Sequence, residues 1–212
     1  ILLIILISKL RLVRILSLII SMLILVFLTI YSSDIKERNI DQTINQLSVG
    51  NNSGELNYLS PQHENHIISS WRMFLDKPII GFGPNTFRKL CNLDKYNVNS
   101  NACSTHPHNL YLQLLAETGF IGFFFLFVSL LYLIKCCIYH FIFLYIYKKE
   151  YINNFQVCLI IGFIVTLFPF LPTQNFFNNW INVIYYLPIG FYLSSIYSES
   201  LKNYNNVESQ KV

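Results

Sequence analysis

Apolar and polar positions in this chain are sorted into long blocks. Residues 15–31, 155–171 and 180–197 carry no charged side chain, and residues 119–139 carry only Lys135. A helix needs about 20 apolar residues to cross the hydrocarbon core of a bilayer, so the pattern predicts four membrane spans. The apolar character of the second block runs on to Tyr147, interrupted only by Lys135 and His140. Twenty-nine helical residues reach about 43 Å, so this helix either projects from the membrane or ends in the interface, where Lys135 can snorkel. Trp180, Tyr185, Tyr186 and Tyr192 in the last block suit membrane interfaces. Residues 1–7 (ILLIILI) are too short to span and read as the end of a helix, making the chain the C-terminal part of a longer protein. A secretory signal would have charge before its apolar core, whereas Lys9, Arg11 and Arg14 come after it.

The fold class expected is all-α: a polytopic membrane helix bundle with a large outward loop containing short helices. Residues 1–31 hold a helix end and a full span, 32–118 form the loop, and 119–212 hold three spans and a tail. Composition agrees, with 53% hydrophobic and 12% charged residues against about 25% charged in soluble domains. Lys9, Arg11 and Arg14, then Lys148 and Lys149, then Lys202 and Lys211 all fall on one face if the spans alternate. The positive-inside rule makes that face cytoplasmic. The 32–118 loop then faces outward, and its seven Lys/Arg against eight Asp/Glu show no basic bias. The net charge of +4 is therefore a topology signal, with membrane lipids as partners and no nucleic acid. Cys136, Cys137 and Cys158 fall in apolar blocks as inert thiols. Cys91 and Cys103 share the outward loop, where an oxidising compartment favours a disulfide.

Within the loop, residues 34–47 read as a polar, helix-capable stretch and 48–57 as a flexible linker. In residues 64–77 apolar side chains at Ile67, Ile68, Trp71, Phe74 and Leu75 recur at spacings of three and four. That is one face of an amphipathic helix ended by Pro78, lying on the membrane or against the bundle with Arg72 and His66 on or beside its polar side. Gly81-Phe82-Gly83-Pro84-Asn85 reads as a turn, or as a place where backbone approaches a ligand closely. Phe87-Arg88-Lys89 follows; its cations are either solvated or, in the case of Arg88, able to grip a phosphate bidentately.

His106-Pro107-His108-Asn109 stands where the loop runs into the second long apolar block. Asn109 is placed to cap a helix from Leu110 to Glu117 that continues through Gly119 and Gly122 into the membrane, the glycines allowing close helix packing. His108 then sits at a helix N-terminus, where unpaired N–H groups attract anions. An imidazole titrating near neutrality there can act as a general base. A buried or structural histidine pair is the plainer reading. A zinc site from His63, His66, His106 and His108 is possible by ligand type but lacks the usual spacings. Glu117, near the membrane boundary, needs a partner and could orient a histidine or pair with an arginine.

Taken together, these residues resemble the O-antigen ligase/polymerase superfamily of bacterial envelope glycosyltransferases. The ligase pattern of His-Asn, nine residues and Gly-x-x-Gly reads here as His108-Asn109, residues 110–118 and Gly119-Phe120-Ile121-Gly122. Trp71, Asp76-Lys77-Pro78, Gly81-Phe82-Gly83-Pro84 and Phe87 are similar to the family's upstream pattern. The resemblance implies glycan transfer from undecaprenyl diphosphate to lipid A-core or a similar acceptor. The reaction would lie on the periplasmic face of the inner membrane, proceed with inversion and need no cofactor or metal. It implies His108 as base, Arg88 and Arg72 as diphosphate ligands, and His106, Asn109 and Glu117 as further substrate contacts. Many members carry an arginine four or five residues before the tryptophan; this chain has Ile67 and His66 there. A polysaccharide polymerase would use the same groups with another acceptor. A transporter would need inward-pointing ionisable residues in its spans, where only Lys135 and His140 occur; a structural membrane subunit would need none of these groups.

Overall fold

The computed structural model describes residues 1–41, 44, 61–98 and 103–209. The linker expected at 48–57 lies outside the described residues, as does part of the 34–47 stretch. Among the described residues the fold is all-helical, without strands. A short α1 (Leu2–Leu6) leads through a turn, with Leu10 in the left-handed region, to α2 (Arg11–Tyr31). α3 (Ser33–Lys36) follows and passes into a π turn at Glu37–Asp41. The loop contributes α4 (Pro61–Asp76) and the single turn α5 (Phe87–Leu90). Then come α6 (Leu110–Tyr145), α7 (Asn154–Thr166) and α8 (Asn179–Ser209), which contains Pro188.

Among the described residues two helices, α2 and α6, are long and apolar enough to cross a membrane. α2 buries none of its residues against protein, as expected of a helix whose apolar sides meet lipid or other helices. α7 ends at Thr166, short of the expected 171, and its 13 residues reach only about 20 Å. Pro169 cannot donate to a helix and Pro172 biases Leu171 away from helical angles, so the apolar block continues as turns. The last block lies inside the longer α8.

α6 differs from the continuous helix that was expected. Gly119 has φ 66° and ψ −163°, so the helix breaks there and the segment before it turns away from the membrane-length part. The remaining 120–145 segment would extend about 39 Å. Leu130, Leu133 and Cys136 of α6, Ile160 and Phe163 of α7 and Tyr192 of α8 form the main core. A separate small core gathers Met73, Phe87, Cys91, Tyr96 and Ala116, and Leu6 and Ile7 pack on Val157 and Ile161.

At the end carrying Lys9, Arg11, Lys148 and Lys149, polar groups tie α1, α6 and α7 together. The buried His140 ring donates from Nε2 to the carbonyl of Leu6 (2.9 Å) and accepts the Ile152 N–H at Nδ1 (3.3 Å). Arg11 donates to the Tyr145 hydroxyl (2.7 Å), which donates to the Ile5 carbonyl (2.9 Å). Asn153 caps α7 through a reciprocal box with Gln156.

Candidate functional site

At the opposite end, a docking of backbone on backbone positions the site. Gly81 and Gly119 both have positive φ, 64° and 66°. A Cβ on Gly81 would collide with the backbone of Glu117 and Thr118, and one on Gly119 with that of Ile79 and Ile80. Without side chains the two strands of chain close up and exchange hydrogen bonds. Phe82 donates to Ala116 (3.2 Å), Gly83 to Glu117 (2.7 Å), Phe120 to Pro78 (2.7 Å) and Ile121 to Ile79 (3.3 Å). The glycines of the two motifs therefore clasp each other, and the helix break at Gly119 is what frees N–H groups for the clasp. Gly122 has another part: a Cβ there would meet the Thr118 side chain of its own helix.

Glu117 is fully buried beneath this clasp. Its Oε1 accepts the Phe87 N–H (2.8 Å) and its Oε2 accepts the Asn85 N–H (3.0 Å) and Gln113 Nε2 (3.1 Å). The carboxylate thus organises the turn into α5, and its oxygens go to backbone and amide groups in place of a histidine ring. Gln113 also donates to Asn175 Oδ1 (2.6 Å), Asn175 donates to Asn85 Oδ1 (3.2 Å), and Arg88 donates to the same oxygen (3.0 Å). Arg88 is exposed at the end of this chain of amides. Arg72 is elsewhere engaged, donating Nη1 to the carbonyl of Asn97 (3.0 Å).

α4 lies on the first turns of α6 with an unexpected face inward. Asn65, His66, Ser69, Ser70 and Met73 are buried, whereas Trp71 is 47% and Leu75 60% exposed. The inward face is the small and polar one, with Ser69 donating to the Tyr96 carbonyl (2.8 Å) and Ser70 to the His66 carbonyl (2.8 Å). His66, expected on or beside the solvated side, is instead 1% exposed. Of the predicted apolar face, Trp71 and Leu75 are exposed while Ile67, Ile68 and Phe74 are half-buried, which fits a helix whose outer edge lies on a lipid surface. Asp76 at its end pairs with Lys95 and accepts the Tyr96 hydroxyl (2.5 Å). Cys91 and Cys103 are joined as a disulfide with Cα atoms 5.2 Å apart, stapling α5 to the chain just before the histidines.

The four loop histidines meet here. Ring centroids separate His106 and His108 by 4.2 Å, His66 and His108 by 5.5 Å, His63 and His108 by 6.1 Å, and His63 and His66 by 6.4 Å. Among the described residues, no group of three or more His, Cys, Asp or Glu is arranged to hold a metal ion. Each imidazole has its own surroundings. His106 is fixed: Nδ1 meets the Thr105 hydroxyl (2.9 Å) and Nε2 donates to the Thr173 carbonyl (3.2 Å). His108 has φ 54°, a left-handed angle costing about 1–2 kcal/mol for a non-glycine residue. Its carbonyl accepts the Thr173 N–H (2.9 Å), so Thr173 grips both ends of the His-Pro-His turn. No hydrogen bond holds the half-buried His108 ring among the described residues. Both ring nitrogens of His66 are buried without a partner among the described residues.

Burial, and then crowding, depress the basicity of His66, His106 and His108. Burial first, then the imidazoles of His108, His63 and His106, bring His66 from 6.5 to about 4. Burial and His63 lower His108; burial, His108 and the Arg88 charge lower His106, against the Thr173 hydrogen bond. His66, His106 and His108 are therefore uncharged at neutral pH, with imidazole lone pairs available to accept a proton. Asn109 caps α6 as its position suggested, accepting the Tyr111 and Leu112 N–H groups (3.1 Å each) while its Nδ2 donates to the Pro169 carbonyl (2.8 Å). Two of the donors an anion would seek at this helix end are thus already taken.

Thr173, Asn175 and Gln113 were not singled out from the sequence, although Thr173-Gln174-Asn175 is a polar island after Pro172 in an apolar region. Beside them opens a cavity of about 200 Å³ lined by Thr173, Gln174, Asn175, Asn182 and Tyr185 among others. The 171–178 turn and the histidine turn share one end of the bundle, as alternating spans require.

Membrane-length apolar helices with a polar, histidine-bearing cluster at one end of the bundle are the features of a membrane protein. The match to the O-antigen ligase family covers residues 1–127, and the chain belongs to that family. Its function is of the O-antigen ligase/polymerase type, its class that of glycosyltransferase-like bacterial membrane proteins, and its partners in general terms a lipid-linked glycan and an acceptor. No curated protein and no solved structure matches the chain.

Proposed function

We propose that this protein transfers a glycan from undecaprenyl diphosphate to lipid A-core or a similar acceptor. The reaction lies on the periplasmic face of the inner membrane, with 32–118 as the periplasmic loop and 119–212 supplying the remaining spans and a cytoplasmic tail. His108 is the base. Its ring takes the proton of the acceptor hydroxyl as that oxygen attacks the anomeric carbon; the bond from that carbon to the phosphate oxygen breaks, and the lipid diphosphate departs with the electron pair. Arg88, exposed next to the cluster, offsets the charge that grows on the leaving group; Arg72, held at Asn97, is the less well placed of the two cations. The cavity beside Thr173 has a mainly apolar wall with Thr173, Gln174, Asn175 and Asn182 as polar groups, a mix that suits a sugar's hydroxyls and its apolar ring face.

The observation that carries this reading is the His108 ring. It is half-buried, without a hydrogen bond among the described residues, and held in a strained turn, where burial first and then His63 hold its basicity down. Strain at such a position is a pointer to function. In the full-length protein at normal expression, His108→Ala should abolish surface polysaccharide. Unchanged polysaccharide would remove His108 as base. Supplying purified protein with lipid A-core or with a second lipid-linked repeat unit separates ligase from polymerase: transfer to the latter alone would make it a polymerase.

A further inference from the structure

We propose that His66 is the positioning residue for His108, one imidazole orienting the other. In the working site a ring N–H of His108 donates to a ring nitrogen of His66. This inference rests on His108 being the base.

A catalytic imidazole has two nitrogens, and the one away from the substrate needs a fixed partner to set its tautomer. Carboxylates usually serve. Here Glu117 is the buried carboxylate at the site, and it spends both oxygens on the Asn85 and Phe87 N–H groups and on Gln113. His106 has both nitrogens engaged, by Thr105 and Thr173. Arg88 is a cation and cannot accept.

Among the described residues at the site, the Thr173 hydroxyl and the His66 ring have unfinished bonding, and it is the His66 ring that lies against His108. His66 is 1% exposed with both ring nitrogens unpartnered, and a buried polar atom left so costs about 1–3 kcal/mol. Its ring lies 5.5 Å from that of His108, centroid to centroid. Two imidazoles joined by an N–H···N bond of about 3.0 Å have centroids roughly 5.3 Å apart, so a small rotation of His108 completes the contact. Phe87 closes the other side edge-on at 6.2 Å. Burial on α4 keeps His66 from following the substrate, which is what an orienting group requires.

The step balances without any further reactant. The acceptor proton ends on the substrate-facing nitrogen of His108, and the positive charge that results is shared with the His66 lone pair through the N–H already pointing at it. A neutral partner raises His108 basicity less than a carboxylate would, so the enzyme should keep working somewhat below pH 6.5. Among the described residues, the titratable or charged groups facing this pair are His63 on α4, His106 on the same turn, Arg88 on α5 and Glu117 on α6.

The test uses full-length protein in lipid nanodiscs, with undecaprenyl-diphosphate-linked repeat units and lipid A-core as probes. His66→Phe should lower turnover about 100-fold, and His66→Gln, which restores an acceptor oxygen, should recover most of that loss. His66→Asp should move the acid limb of the pH–rate profile upward by about one unit. If Gln is no better than Phe, or Asp leaves the profile where it was, His66 is only packing and the inference fails. Should His66→Phe be fully active while His108→Ala is dead, the base survives and the dyad falls. An active His108→Ala defeats the proposed function itself.

Discussion

Two histidines in this molecule are equally buried, each 1% exposed, and they occupy opposite ends of the bundle. His140 has both nitrogens satisfied, by the Leu6 carbonyl and the Ile152 N–H, and so rivets three segments together. His66 has neither nitrogen satisfied and faces three other imidazoles. Burial alone therefore says little about a histidine's role; what separates structure from chemistry is whether its hydrogen bonds are complete.

The largest effect belongs to the clasp that holds the reactive end. Gly119→Ala forces a side chain into the Ile79–Ile80 backbone at a positive φ, and should cost on the order of 3 kcal/mol or more. Thermal unfolding in detergent, or loss of folded protein in membranes, reads this out; an unchanged melting point would mean that the two motifs do not interlock.

Next in size is acid sensitivity at the His66 end. Its folded-state pKa is about 4 against 6.5. Above pH 6.5 neither folded nor unfolded chain carries the proton, so stability is unaffected. As pH falls below 6.5 the unfolded chain binds a proton that the folded site refuses, and stability declines until about pH 4, where both are protonated. The loss should be roughly 2 kcal/mol by pH 5, and His66→Gln should flatten it. A melting temperature independent of pH across that window would contradict a crowded, neutral His66.

A smaller effect is expected at the other pole. His140→Leu removes two hydrogen bonds while keeping an apolar helix surface, and should cost about 1–2 kcal/mol of stability. Transfer per folded molecule should not change. A fall in turnover out of proportion to folded protein would show that the two ends are coupled.

How far the sequence foretold this site varies residue by residue. Asn109 was legible because capping is local: one side chain reaches N–H groups two and three residues on. Gly81 and Gly119 were legible as special but not as a pair, since two backbones meeting across 38 positions leave no mark in either segment. The face of α4 was misleading for a physical reason. Periodicity finds the apolar side, and beside a membrane that side can face lipid while Asn65, His66, Ser69 and Ser70 turn toward protein. Thr173 looked like part of a connector between apolar blocks, yet its backbone fixes both histidines of the turn. The break in α6 was hidden too, because glycine in a span reads equally well as a helix-packing position.

The claim on which the rest depends is that the ring at position 108 does chemistry. The direct measurement is glycan transfer by purified full-length protein carrying His108→Ala, set beside His140→Leu at equal amounts of folded enzyme. The account predicts that the first loses at least 100-fold in turnover, in the range of general-base removal, while the second keeps its rate. Equal rates in the two variants would contradict it.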